Sequence, residues 1–315
     1  MNDPARFRAD AVAAIRRDVP GKAIVAASGG IDSTVAALLT QEALGDRART
    51  VFVDTGLLRE GEVDRVREQF GASRLHFQVA PAADRFLGAL AGVTDPEEKR
   101  RRIGATFIRL FEEEADRFGT DRLVQGTIAP DWIESGGQLR DTIKTHHNVG
   151  GVPADSRLTL VEPLRDLYKD EVRALAAHLG VPRSDRQPFP GPGLAVRVIG
   201  PVTPERVAVA RRANAIVEEE VDRAITAGRL PRPWQYFAVL LPVRSVGVTG
   251  DNRIHGETVS VRVVDSIDAM TATATALPTD LVRTITERIT RDLTGAVTRV
   301  VLDVTDKPPA TIEWE

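Results

Sequence analysis

Seven consecutive residues, Ser28-Gly29-Gly30-Ile31-Asp32-Ser33-Thr34, combine small, hydroxyl-bearing and acidic side chains at a spacing suited to holding phosphate. Two adjacent glycines let backbone N–H groups approach an anion with no Cβ in the way. The run lies between a short, β-branched apolar stretch, Lys22–Ala26, and a long stretch of good helix formers, Val35–Leu44. It therefore sits at the start of a helix, where the first backbone N–H groups are unpaired and the dipole is positive. Ser28, Ser33 and Thr34 add hydroxyl donors. Asp32 is a carboxylate suited to Mg²⁺, which prefers carboxylate, water and phosphate oxygens, or to capping the helix that follows. The loop is neither a Walker A motif, since no Gly-Lys-Ser/Thr follows at the right distance, nor Gly-x-Gly-x-x-Gly.

The elements that must position this loop read as alternating helices and strands. An amphipathic helix over Pro4–Asp18 leads into the first strand, and Arg49–Asp54 is a second buried strand that ends in a carboxylate. A polar helix from about Gly61 to Phe70, a strand Leu75–Val79 and a short helix Ala82–Leu90 follow. This alternation predicts right-handed crossovers and a parallel sheet with covered faces. Ligands of such sheets bind beyond the carboxyl ends of the strands, where the Ser28 loop and Asp54 both fall. Pro96 suits the first turn of a long helix, Asp95–Phe118, whose Lys99-Arg100-Arg101-Arg102 cluster reads by default as a solvated face. Leu123–Thr127 is a fourth strand. From Ile128 to Pro153 the apolar period is lost and Gly, Asp and His accumulate, the pattern of a lid or binding loop. His146 and His147 are adjacent there, but neighbouring side chains diverge on any regular element and no third ligand type is near, so a metal site is not expected from them. Leu158–Pro163 and a helix Tyr168–Leu179 close an α/β domain.

Pro188-Phe189-Pro190-Gly191-Pro192-Gly193 has no helix or strand period and marks a domain boundary, giving domains 1–187 and 188–315. Beyond it come a helix Thr203–Ala227, strands Gln235–Pro242 and Thr258–Val264, a helix Thr279–Leu293 and a strand Thr298–Val304. Strands that pair antiparallel, with helices on one face, make this a small α+β domain.

Composition narrows the function. The chain has 315 residues, ample for two cores, and no cysteine, which excludes disulfides, thiolate metal sites and a thiol nucleophile within it. A net charge of -3 argues against broad electrostatic attraction to nucleic acid. No apolar stretch approaches the roughly 20 residues of a membrane helix, so a cytoplasmic protein with no membrane partner is expected.

The Ser28–Ser33 loop resembles the Ser-Gly-Gly-x-Asp-Ser loop of the ATP pyrophosphatases, which cleave ATP between its α and β phosphates. Further stretches narrow the resemblance to the GMP synthetases and extend it over the whole chain. They are Phe52-Val53-Asp54-Thr55-Gly56-Leu57-Leu58-Arg59, Gln125-Gly126-Thr127-Ile128, Ile143–Gly151, Pro188–Ala195 and the C-terminal Lys307–Glu315. The resemblance implies an adenine nucleotide alpha hydrolase-like domain plus a small α+β dimerisation domain. It also implies that the C2 oxygen of xanthosine monophosphate (XMP) attacks the α-phosphate of ATP, and that ammonia then displaces AMP to leave GMP. Catalysis of that kind is mainly positioning and charge stabilisation. By the same resemblance ATP is held by Ser28, Gly29, Gly30, Ile31, Asp32, Ser33, Thr34 and Asp54, with Asp32 on Mg²⁺. Lys144, His146 and His147 belong to a mobile lid whose lysine reaches the phosphates. XMP contacts fall to Arg100, to the rigid wall Pro190, Gly191, Pro192 and Gly193, and to Gln235, Asp251, Arg253, Lys307 and Glu313.

Three positions depart from the pattern: Thr55 stands where Asn is usual, Ala129 replaces an aromatic and Trp132 occupies an aliphatic position. Two-domain members carry a glutaminase with a nucleophilic cysteine, which this sequence lacks. Ammonia is therefore expected from a separate glutaminase subunit, with a homodimer formed through the second domain. NAD synthetase shares the loop but not Lys307–Glu315, and a tRNA thiolase is expected to show a basic face and often catalytic cysteines. A nucleotide-binding module without chemistry is the alternative of a different class.

Overall fold

The computed structural model describes residues 3–130, 156–182, 186–267 and 269–315. The chain divides into two units, one of Met1–Gly56, Gly61–Phe86 and Arg100–Asp185, the other of Leu57–Glu60, Leu87–Lys99 and Arg186–Glu315. The division is thus not a single cut. Leu57–Glu60 joins the second unit because Leu57 O accepts from Leu194 N at 2.7 Å and Leu58 O from Arg211 at 3.0 Å.

In chain order the first half forms α1 (Pro4–Asp18), β1 (Ala23–Ala27), α2 (Ile31–Leu44), β2 (Ala48–Asp54), α3 (Glu62–Ala72), β3 (Phe77–Pro81), α4 (Ala83–Ala89), α5 (Pro96–Phe118), β4 (Arg122–Val124), β5 (Thr159–Val161) and α6 (Lys169–His178). Asp3 caps α1, accepting from Ala5 N at 2.9 Å, and Pro4 takes the first position, where its missing N–H costs nothing. The five strands pair all-parallel in the order β3-β2-β1-β4-β5. The chain leaves β1 toward β2 and β3, then returns to the other side of β1 with β4. The switch point of the sheet therefore lies between β1 and β4, the place where such sheets bind ligands. Ala23, Ile24 and Val25 of β1 are fully buried, as a central strand covered on both faces requires.

The second unit holds α7 (Pro204–Thr226), β6 (Gln235–Thr249), β7 (Asn252–Asp265), β8 (Thr273–Ala274), α8 (Thr279–Asp292) and β9 (Val297–Asp303). Its α7 buries Val207, Ala210, Ala213, Ile216, Val217, Val221 and Ala224, a helical stripe packed on β6. The core collects Phe237, Val239, Val264, Ala272 and Ile312, so the C-terminal segment is part of it.

Two features differ from the sequence-based expectation. First, β6 and β7 form one long antiparallel ribbon that continues past Pro242 to a two-residue turn at Gly250-Asp251. The register slips between Leu241 and Arg244, leaving Pro242, which has no N–H to donate, in the irregularity. The outer ribbon is largely exposed on both faces, so it lacks the apolar alternation that marks a strand. Second, β9 pairs parallel to β7, not antiparallel. The connection through α8 supplies the crossover that a parallel pair needs.

Candidate functional site

In the first unit α2 begins at Ile31, with Gly30 as N-cap at φ -76° and ψ 163°. Ile31 to Thr34 are therefore its first turn, earlier than the apolar pattern alone indicates, and the N–H groups of Ile31, Asp32 and Ser33 have no partner within the helix. They point, with the positive end of the dipole, to the carboxyl edge of β1. Gly29 has φ +77°, and a Cβ there would lie 2.6 Å from Val66 Cγ2 on α3, so only glycine fits. Gly126, just beyond β4, approaches the same turn from the other side of the switch point: a Cβ would sit 2.7 Å from Ser33 N.

The hydroxyls divide their work. Ser33 Oγ donates to Gly30 O at 3.0 Å and accepts from Ser28 N at 3.1 Å, while Ser28 Oγ lies 3.2 Å from Ser33 Oγ. These bonds shape a half-buried concave loop. Thr34 is fully buried, donates to Gly30 O at 2.8 Å and accepts from Gln69 Nε2 at 3.0 Å, so its hydroxyl serves the scaffold of the loop.

Asp32 carries the least satisfied oxygen of the loop. Its Oδ2 accepts from Lys169 Nζ at 2.6 Å, whereas Oδ1 is buried with no hydrogen-bond partner among the described residues. A buried carboxylate oxygen left bare beside a ring of N–H donors fits one ligand of Mg²⁺, an ion that commonly takes one or two carboxylates and completes its shell with phosphate and water. No group of three or more His, Cys, Asp or Glu among the described residues forms a metal site of its own. Asp54 ends β2, where its Oδ1 accepts from Gly56 N at 3.0 Å and turns the chain out of the sheet.

Two further cations stand at this site. Lys169 begins α6, 137 residues from its partner Asp32. Arg65 on α3 has its Nη2 3.3 Å from where a Gly29 Cβ would be, and is braced by Gln69 at 2.9 Å and by Glu62. Neither has a local motif; each becomes visible only once the parallel order brings α3 and α6 to the end of β1. Gln125 Oε1, next to Gly126, is a second buried acceptor with no partner among the described residues.

The second unit gathers several of the expected XMP contacts. Glu313 takes two bonds from Arg197, at 2.7 Å from Nη2 and 3.1 Å from Nε, and one from Gln235 Nε2 at 3.2 Å. Gln235 also donates to Pro188 O at 3.3 Å. Gly193 is buried at the start of a short 3₁₀ turn, Gly193–Arg197, and Pro190 to Pro192 lead into it, so this wall is anchored to the same cluster. Lys307 donates to Ala269 O at 2.9 Å, and its backbone pairs with Ala272 in both directions. Arg262, fully buried on β7, donates to Ile312 O, Thr311 O and Thr305 O at 2.9 to 3.0 Å and pairs with Asp303 at 2.8 Å. The C-terminus is thus docked and not frayed. Beside Gln235, burial and the bond to Asp222 hold the Tyr236 phenol above its ordinary range, so it stays neutral.

Lys99 corrects the solvated-face expectation for the basic cluster. It is fully buried, pairs with the side chain of Glu315 and donates to Val198 O at 2.8 Å, which charge counting along a helix does not reveal. Arg100 is half-buried on α5. Asp251 and Arg253 are exposed at the tip of the β6–β7 ribbon, while Gln235 starts that ribbon. Val248, the cross-strand partner of Arg253, lies thirteen positions along the strand from Gln235, a span of about 40 Å. Lys144, His146 and His147 lie outside the described residues.

Comparison with known proteins adds the following. A family model described as the GMP synthase C terminal domain matches residues 222–314. A Thermoplasma acidophilum protein named as one subunit of GMP synthase [glutamine-hydrolyzing] is 57% identical over 301 residues, covering 96% of each chain. Proteins of the same name from Pyrococcus horikoshii and Methanopyrus kandleri are 56% and 52% identical, covering 99% and 100% of this chain and all of each relative.

Proposed function

The chain belongs to the family formed by this one subunit of GMP synthase [glutamine-hydrolyzing], and from that premise we propose how its residues divide the work of making GMP from XMP. It is a ligase that forms a carbon–nitrogen bond with ATP as co-substrate. The C2 oxygen of XMP is a poor leaving group, so it first attacks the α-phosphorus of ATP, forming an O–P bond as the bond to pyrophosphate breaks. Ammonia then adds at C2, AMP leaves with that oxygen, and a proton is released.

For the first step the chain supplies orientation and charge. The N–H groups of Ile31, Asp32 and Ser33, with Gly29 and Gly30, receive the departing pyrophosphate; Ser28 and Thr34 hold the loop in shape; Asp54 fixes the neighbouring turn. Lys169 and Arg65 add positive charge beside it. Asp32, with its buried Oδ1, would be the residue to hold Mg²⁺, which would supply charge neutralisation to the phosphates. Lys144, with His146 and His147, is assigned to the ATP phosphates by the family pattern. Arg100, the Pro190–Gly193 wall, Gln235, Lys307 and Glu313 take XMP.

Asp251 and Arg253 cannot reach the same mononucleotide as Gln235 in one chain, given the about 40 Å of ribbon between them. A homodimer, in which the ribbon tip of one protomer serves the nucleotide of its partner, reconciles both sets. The exposed Val246 and Val248 near that tip support an apolar contact there. Ammonia comes from a separate glutaminase, a reading supported by the relatives' naming as one subunit of a glutamine-hydrolysing synthase, and the assembly works in the cytoplasm. No described helix is long and apolar enough to cross a membrane.

The observation that carries this reading is full-length similarity to proteins of one name, combined with a bare Asp32 oxygen in a cradle of helix-start amides. Its test is to incubate the purified chain with ATP, XMP, Mg²⁺ and an ammonium salt. GMP, AMP and pyrophosphate form in equal amounts, each dependent on both nucleotides. ATP binding without XMP-dependent pyrophosphate identifies a nucleotide-binding module instead.

A further inference from the structure

One guanidinium in the second unit touches Glu313 and the ring of Phe189, the residue just before the Pro190–Gly193 wall. Arg197 is fully buried. Its Nε and Nη2 make the fork on the Glu313 carboxylate, and its third nitrogen donates to Asn214 Oδ1 at 3.0 Å. Its Cζ lies over two rings, 4.1 Å from the centroid of Phe237 and 5.2 Å from that of Phe189. Phe189 directly precedes the Pro190–Gly193 wall, and its ring also faces the guanidinium of Arg59, at 4.4 Å. Arg59 in turn donates to Gln187 O at 3.2 Å and Pro188 O at 3.0 Å and pairs with Glu218 at 2.9 Å.

The arrangement is a chain of cation–ring contacts, Arg59 with Phe189, Phe189 with Arg197 and Arg197 with Phe237, and the Arg197 fork grips Glu313. An ionised carboxylate has about four acceptor directions. Arg197 fills two and Gln235 a third, so Glu313 keeps a fixed orientation with one direction left over, and its side chain remains 21% exposed. A carboxylate oriented in this way can accept one N–H or O–H from a ligand in a single geometry. A flexible glutamate at a chain end would have to be ordered at binding, at a cost in side-chain and backbone entropy.

We infer that Arg197 is a positioning residue for XMP: through its fork on Glu313 and its contact with Phe189, it fixes the Glu313 carboxylate and the adjoining Pro190–Gly193 wall relative to each other before the nucleotide arrives. Lysine cannot replace it, since an ammonium offers neither a planar fork nor a flat face to two rings. The inference rests on the assignment of Glu313 and the wall to XMP, so the test separates the two.

XMP and ATP dissociation constants are measured by calorimetry for Arg197→Lys, Glu313→Gln and the double variant, with the thermal midpoint recorded for each. Arg197→Lys weakens XMP at least tenfold and leaves ATP within twofold. Added to Glu313→Gln it costs clearly less than it does alone, because the two act through one carboxylate. Should Arg197→Lys not fold, Phe189→Leu decides, since it removes a ring and keeps the fork: XMP weakens several-fold while ATP binding holds. An XMP affinity unchanged within twofold in either folded variant, or XMP and ATP affinities that fall together, overturns the positioning role. An unchanged XMP affinity in Glu313→Gln overturns instead the assignment of Glu313 to the nucleotide.

Discussion

Replacing Arg262 by methionine removes the staple of the C-terminal segment while nearly preserving side-chain volume. In the native unit this guanidinium satisfies Ile312 O, Thr311 O and Thr305 O and pairs with Asp303, whose side chain is only 10% exposed. The variant takes that donor from three carbonyls and the counter-charge from Asp303, which keeps hydrogen bonds from Trp314 Nε1 and Thr305 N, each at 3.0 Å. Breaking one buried ion pair from one side costs about 3–5 kcal/mol, and a hydrogen bond from a charged donor contributes about 1.5–3 kcal/mol, though water admitted to the segment recovers part of the sum. The expected loss is about 3 kcal/mol or more, which at a slope of about 2–3 kcal/mol per molar lowers the urea midpoint by about 1 M or more. Two of the three tryptophans, Trp234 and Trp314, lie in the second unit, so fluorescence follows its unfolding. Arg262→Lys, which keeps the charge opposite Asp303, falls between. At low urea the folded methionine variant binds ATP normally and XMP weakly, since Lys307 and Glu313 lie on the released segment. A loss below about 1 kcal/mol, or undiminished XMP binding, refutes the claim that Arg262 holds this segment in its working position.

Gly29→Ala puts a Cβ against Val66 and forces an L-residue into φ +77°; a stability loss of about 1–2 kcal/mol accompanies weakened ATP binding, with XMP affinity intact, as parallel titrations will show. Asp32→Asn retains the fold but lowers XMP-dependent pyrophosphate release by about 10²–10³-fold, not restored by excess Mg²⁺, and leaves XMP affinity unchanged. Lys144→Ala loses turnover while its thermal midpoint stays at the wild-type value; equal folding with near-normal turnover removes Lys144 from the phosphate site.

What was legible in the sequence followed from local rules. Gly29-Gly30 between a β-branched run and helix formers located the phosphate loop, and the alternation of strand and helix gave the parallel sheet and its binding edge. What was not legible depended on long-range placement. The start of α2 is hidden from the apolar pattern because Ile31 to Thr34 carry no apolar period, although their backbone is that of a helix. Lys99 looked solvated because its counter-charge, Glu315, is 216 residues away. Lys169 and Arg65 reach the loop through the order of the sheet, and no motif marks them. The direction of β9 was set by the crossover through α8, which a strand pattern alone does not encode. The outer β6–β7 ribbon escaped because exposed strands have no face to keep apolar.

The central claim is that the C2 oxygen of XMP is the atom that displaces pyrophosphate from ATP. XMP labelled with ¹⁸O at C2 tests it directly, with ammonium as the nitrogen source and mass spectrometry of the products. The account predicts one ¹⁸O atom in the phosphate of AMP and none in pyrophosphate or water. Label in water or in pyrophosphate, with unlabelled AMP, contradicts it.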